Sequence, residues 1–309
     1  MNVEAEVLEQ SQLRTRSRVL DYAELMKPEL TFLSVLSALC GFYLGTTGQF
    51  NFWLFFHVAT GTTLLGGGAG TLNQYIERTY DGMMKRTERR PLPAGRLYPL
   101  EVLIFGIVIS VAGLVQLTLF TNVLTGFLGA LTFTTYIFLY TPLKRITPWS
   151  TIVGAIPGAL PPMIGWAAVR NDLPLEAWIL FAILFFWQMP HFLSLAWMYR
   201  KDYARANYKI LTVFDATGVR TGKQIVIFLF ALIPATMITS FIGMTGKTYF
   251  MSALLLNGVF LFFGLRMMKC TGDHITEDTA KLTSSARRLF FASLIYLPAL
   301  MLLMALDKA

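Results

Sequence analysis

Three oxygen-bearing side chains stand four residues apart, Asn73, Glu77 and Asp81. On a helix this spacing puts them in one stripe, each about 6 Å from the next. Two carboxylates and an amide oxygen are hard donors, suited to a divalent cation. Lys85, Arg86, Arg89 and Arg90 follow at once, ahead of Pro91, and can hold an anion. Together the two groups meet the needs of a metal-bridged diphosphate. A solvated basic segment lying on anionic lipid is the plainer reading of Lys85, Arg89, Arg96, Arg205 and Lys209. It fits the stripe less well, because polar residues within or just after an apolar run are costly unless they are paired or hydrated.

The stripe follows a long uncharged stretch, and the whole chain shares that character. Of 309 residues, 55% are hydrophobic and 14% charged, with 25 Phe, more apolar surface than a soluble domain needs. Uncharged runs cover 30–76, 102–143, 146–169, 177–199, 224–246, 248–265 and 289–306. The first two are each about twice the roughly 20 residues of a spanning helix. Each has a break, at Gly45 to Asn51 and at Thr121-Asn122. We therefore expect an all-α polytopic membrane protein with nine transmembrane helices around a central cavity. A polar segment 1–27 would precede a single domain over 28–306, with catalytic loops at about 77–101 and 200–223.

Lys and Arg set the orientation. With the N-terminus cytoplasmic, 23 of the 26 basic residues fall on the cytoplasmic side, leaving Arg170, Lys247 and Lys308 opposite. The C-terminus then lies opposite the N-terminus, and the cavity opens to the cytoplasm. The net charge of +8 is mostly topology and is not read as nucleic-acid binding. Arg14, Arg16 and Arg18 suggest a mitochondrial presequence, but Glu4, Glu6, Glu9 and Glu24 argue against one and favour a bacterial inner membrane. Cys40 and Cys270 offer no disulfide framework or zinc spacing.

Other polar features need sorting. The loop after the sixth span reads Tyr199-Arg200-Lys201-Asp202-Tyr203, and Asp202 could face Asp81 across a cavity. His191 follows Pro190 at membrane depth, where structural and substrate-contact roles are both open. Pro157, Pro161 and Pro162, with Gly154, Gly158 and Gly165, preclude a regular helix, so the fifth span should shape a pocket wall with Trp166 nearby. The glycines from Gly66 to Gly70 read as close helix packing. Gly243 to Thr248 mimics a P-loop but has Phe241 where the leading glycine belongs. His57 reads as a hydrogen-bonded packing residue and His274 as solvated. The loop 271–286, with Asp273, Glu277 and Asp278, reads as a lid or a solvated segment.

These motifs resemble the UbiA superfamily of intramembrane prenyltransferases, and within it the protohaem IX farnesyltransferase (haem O synthase) branch. The first family motif stands here as Asn73, Glu77, Asp81, Met84, Arg86, Thr87, Arg90, Pro91 and Leu92. Tyr140 to Thr147, Gly154 to Trp166, Trp187 to His191 and Tyr199 to Tyr203 are similar to further family segments, and the likeness covers roughly residues 25–305. Much of the superfamily has Asp-x-x-x-Asp in the second region. Here Met198 stands four residues before Asp202, a thinner motif that the haem branch shares.

The resemblance implies a UbiA-like fold, farnesyl diphosphate as donor, haem b as acceptor and Mg²⁺ as cofactor. It implies Mg²⁺ held by Glu77, Asp81 and Asp202 and oriented by Asn73, with one or two ions left open. Arg86, Arg90, Lys144, Arg200 and Lys201 would face the diphosphate, while His191, Tyr199, Tyr203 and Trp166 would line the acceptor pocket. The bilayer and a downstream haem A synthase are the implied partners. Two rivals remain: an aromatic quinone precursor as acceptor, or a transporter. Transporters tend to carry midplane charges and inverted repeats, whereas here the acids gather at one face.

Overall fold

Helices begin and end where the sequence interrupts its apolar runs. The computed structural model describes residues 17–272 and 275–309. Glu4, Glu6, Glu9, Arg14, Arg16, Asp273, His274 and the side chains of Glu277 and Asp278 lie outside the described residues, so the 271–286 loop is described only in part. A short α1 (Arg18–Leu25) leads into α2 (Pro28–Gly45), α3 (Phe52–Asp81), α4 (Pro99–Leu119) and α5 (Val123–Thr134). After α5 come a π-helical turn, Thr135–Tyr140, and a last turn, Thr141–Leu143. Then follow α6 (Ser150–Ala159), α7 (Pro161–Arg170), α8 (Leu175–Met198), α9 (Arg200–Arg205) and α10 (Leu211–Phe214). The chain closes with α11 (Val219–Phe241), α12 (Lys247–Lys269) and α13 (Ile275–Leu306).

Both expected breaks separate helices, and an asparagine caps each new one. Asn51 Oδ1 accepts from the Leu54 amide at 3.0 Å, and Asn122 Oδ1 from the Thr125 amide at 2.9 Å. Among the described residues, 8 helical segments are long and apolar enough to cross a membrane. The 30-residue α3 is long enough to be the ninth, but His57 and its many Gly and Thr residues lower its hydropathy even before the polar Asn73, Gln74, Glu77, Arg78 and Asp81 begin. The proline-rich span breaks at Leu160, and Pro161 opens α7, where a missing N–H costs nothing. The α6–α7 and α8 spans are the innermost, 72% and 67% buried over their most apolar stretch. Around them stands a ring of helices that turns residues such as Phe127, Phe230, Phe262 and Ile295 outward.

Close approach between helices depends on glycine. A Cβ on Gly165 would lie 1.7 Å from the Ala38 carbonyl oxygen, and one on Gly41 2.0 Å from that of Pro162. Backbone therefore meets backbone where α7 crosses α2, and neither side can yield. Gly165→Ala is expected to cost about 1–3 kcal/mol by overpacking, read as a lower thermal midpoint in detergent. The glycine run of α3 packs as its composition suggests, with Gly67 against Met26 and Gly68 against Ser110. His57 stacks on Phe120 at 4.5 Å and its Nδ1 meets Gln116 Nε2 at 3.1 Å, a packing role. Cys40 and Cys270 are free thiols.

Candidate active site

The stripe on α3 is buried at all three positions, and each side chain meets a cation from a different segment. Lys27 Nζ donates to Asn73 Oδ1 at 2.5 Å. Lys144 Nζ lies 2.6 Å from Glu77 Oε1, and an Arg90 guanidinium nitrogen 2.8 Å from Asp81 Oδ2. The Asn73 amide is oriented by its neighbours. Its Nδ2 donates to Thr141 Oγ1 at 3.1 Å, and that hydroxyl donates onward to the Tyr136 carbonyl at 2.9 Å, so the amide oxygen faces Lys27.

Local folding delivers the three cations. Lys27 has φ 48°, a left-handed conformation that costs a non-glycine residue roughly 1–2 kcal/mol. The chain turns there between α1 and α2, and the amine reaches inward. Arg90 returns to α3 because the 82–98 loop folds back: Thr87 Oγ1 donates to the Asp81 carbonyl at 2.8 Å, and Met84 is buried beside Tyr208. Arg96 straps that loop to α1 through Asp21 at 2.9 Å and Glu24 at 3.4 Å. Lys144 follows the π-helical turn, a distortion often found at functional sites. Its carbonyl accepts the Lys209 amide at 2.7 Å, which joins this turn to the loop after α9.

Burial pushes the Lys27 ammonium down to about 7, Arg90 adds to that, and Glu77 opposes it. Burial also disfavours the Lys144 ammonium, but Glu77, Tyr140 and Tyr136 outweigh it and hold the group well above its ordinary value. Tyr208 is raised, first by burial and then by Glu77. Lys144 lies 4.7 Å above the Tyr140 ring and 5.7 Å from that of Tyr208. Tyr80 packs on Tyr208 at 5.9 Å and accepts a 2.7 Å hydrogen bond from Arg145.

Other expected site residues are placed unequally. Arg86 stacks over Tyr199 at 5.1 Å and Tyr203 at 6.0 Å, so the two long charged loops do meet. Arg200 lies 4.1 Å over Trp197, its pKa lowered by partial burial, and Lys201 is exposed. Asp202 is not drawn into a cluster with Glu77 and Asp81. Arg205, one turn on, holds its carboxylate at 2.8 Å, and among the described residues no three metal-ligating His, Cys, Asp or Glu converge. Trp166 does not reach the cavity either. It packs on Gly45 at the far end of α7, and its indole donates to Asp172 at 3.3 Å.

Beyond the stripe lies a cavity of about 250 Å³, lined by Lys27, Phe133, Tyr136, Tyr140, Trp187, His191 and Phe192 among others. Exposed Leu30 also lines it, so the cavity reaches the outer face of the bundle. Sequence reasoning did not single out Lys27, Tyr136 or Tyr208, and it held Tyr140 and Thr141 only as part of a family-like segment. A signal for Lys27 existed, a lysine directly before a helix-opening proline, but nothing local links it to Asn73.

These features define a polytopic helical membrane protein with a buried acid–base cluster at one end of an apolar, aromatic-lined cavity. The UbiA prenyltransferase family profile matches residues 34–295, and the chain belongs to that family. A relative from Solibacter usitatus (strain Ellin6076), named protoheme IX farnesyltransferase, is 45% identical over 298 residues, 93% of this chain and 98% of that one. A relative of the same name from Koribacter versatilis (strain Ellin345) is 40% identical over 291 residues, 93% of each chain. Among solved structures, digeranylgeranylglyceryl phosphate synthase superposes with a TM-score of 0.73 at 13% identity, covering 94% of this chain and 98% of that one. A UbiA homolog from Archaeoglobus fulgidus bound to DMAPP and Mg²⁺ gives 0.62 at 12% identity, covering 90% and 99%. At such identities the structures share the fold.

Proposed function

We propose that this protein transfers the farnesyl group of farnesyl diphosphate to a vinyl group of haem b, giving haem O. The observation that carries this reading is near full-length similarity, at 45% and 40% identity, to chains named protoheme IX farnesyltransferase. The site chemistry agrees with it. Asn73, Glu77 and Asp81 present hard oxygens on one buried face, and Mg²⁺ commonly binds through one or two carboxylates plus substrate phosphates. The residues present therefore fit the ion, with Glu77 and Asp81 as its main holders and Asn73 beside them. Bound Mg²⁺ supplies electrostatic stabilisation of the departing diphosphate.

The chain's own residues do the rest. Lys27, Lys144, Arg90 and Arg86 stand where the diphosphate would lie and offset charge as the allylic C–O bond breaks. Tyr136, Tyr140, Trp187 and Phe192 line the farnesyl path, keep water from the allylic cation and present ring faces to it. A carbon–carbon bond then forms to the vinyl group, leaving a cation beside the porphyrin, and water adds there and loses a proton to give the hydroxyethylfarnesyl side chain. A haem A synthase is the natural consumer of that product. The basic loops carrying Arg86, Arg90, Lys144 and Arg205 gather at one end. Arg170 and Lys308 sit at the other, bonded to Thr47 at 3.1 Å and to the Tyr43 carbonyl at 2.8 Å. The positive-inside rule supports a site at the cytoplasmic face, and the acidic residues Glu4, Glu6, Glu9 and Glu24 favour a bacterial inner membrane over a mitochondrial one.

Membranes with the expressed protein, haem b and farnesyl diphosphate should form a farnesylated haem, identified by chromatography and mass. A chelator should remove the product and added Mg²⁺ restore it. Prenylation of an aromatic acid, with no haem product, would leave the metal site standing and overturn the acceptor.

A further inference from the structure

We propose that His191 Nε2 is the axial ligand that seizes the haem iron and so fixes the porphyrin in the cavity. This rests on the reading that haem b is the acceptor. His191 is buried on α8 and lines the cavity beside Trp187, Gln188 and Phe192. Its ring is clamped, with centroids 5.1 Å from Trp187 and 4.8 Å from Phe290.

The hydrogen bonds decide which nitrogen is free. His191 Nδ1 lies 2.8 Å from Ser293 Oγ. Ser293 Oγ donates to the Phe290 carbonyl at 2.5 Å. A hydroxyl has one hydrogen, so Ser293 must accept from His191. The Nδ1 therefore carries the proton and Nε2 presents a bare lone pair, with no hydrogen-bond partner among the described residues. The Trp187 indole donates to the Ser293 carbonyl at 3.0 Å and holds that residue in place. An imidazole whose far N–H is fixed by an acceptor is the arrangement that metal-ligating histidines use. His57 shows the opposite pattern: the Gln116 amide donates to its Nδ1, so its Nε2 carries the hydrogen. Among the described cavity-lining residues His191 is the one imidazole, and there is no thiol or thioether.

The test is spectroscopic. Purified chain in nanodiscs is titrated with ferric haem b, and the Soret band and electron paramagnetic resonance are recorded. Wild type should show a histidine-ligated haem. His191→Ala should bind at least about tenfold more weakly and lose that spectrum, with added imidazole restoring it. Ser293→Ala should weaken binding by about tenfold, through loss of tautomer control. His191→Cys should convert the spectrum to that of a thiolate-ligated haem, a change that no packing role produces. If the Ala and Cys variants keep the wild-type spectrum and affinity, the ligand assignment is wrong even when turnover is lost, as a general base would require. If wild type binds no haem yet prenylates another acceptor, the functional reading fails and the ligand with it.

Discussion

Asp81→Ala is expected to lower turnover by about 10²–10³-fold while the bundle stays folded. The magnitude is that of removing one preorganised group that stabilises transition-state charge. Asp81 is buried, and among the described residues its carboxylate is hydrogen-bonded to Arg90 alone, at 2.8 Å. The Arg90 side chain is 21% exposed, so it can hydrate when its partner goes, and the stability loss should be modest. Asp81→Asn keeps volume and a hydrogen bond but loses charge. If charge is what matters, it should be nearly as inactive as the alanine variant. Turnover should be measured across a Mg²⁺ titration, beside a thermal melt in detergent. Wild-type turnover in both variants would remove Asp81 from the metal site.

Lys144→Met should impair both activity and stability. The Glu77 side chain is 8% exposed and that of Lys144 12%, at a separation of 2.6 Å. Removing one partner of a buried pair leaves an uncompensated charge and costs about 3–5 kcal/mol. A second change separates the two effects. In the double variant Lys144→Met with Glu77→Gln no charge is stranded, so the melting midpoint should recover most of its loss. Turnover should not recover, because a stripe carboxylate and a diphosphate-facing cation are both gone. A double variant that regains turnover would show that the pair is structural.

Much of the site was legible because its spacing is local. Asn73, Glu77 and Asp81 fall on one face of α3 by helical period alone. Arg90 and Thr87 return to Asp81 through bonds spanning nine residues or fewer, so that motif reads as one unit. Trp166 misled because three prolines and a nearby tryptophan suggest a pocket wall. The prolines do break the span at Leu160, and Pro157 and Pro161 do line the cavity, but Trp166, on the same helix as Pro161, turns instead to Gly45 and Asp172. Asp202 stands apart from the stripe here; sequence shows that a carboxylate exists and not what it pairs with. Arg205, three residues on, claims it here.

The sequence by itself determined the membrane class, the helix breaks, the charge asymmetry and the acidic stripe. Apolar run length, helical period and the cost of placing charge in lipid act along the chain and need no knowledge of neighbours. Tertiary structure alone brought Lys27 to Asn73 and Lys144 to Glu77. Lys27 reaches Asn73 across 46 residues, and His191 finds Ser293 across 102. Those pairings depend on how helices cross. The glycine contacts of α2 with α7, the left-handed turn at Lys27 and the π-helical turn before Lys144 set the local approach. Such geometry comes from packing between distant segments, so no local pattern encodes it.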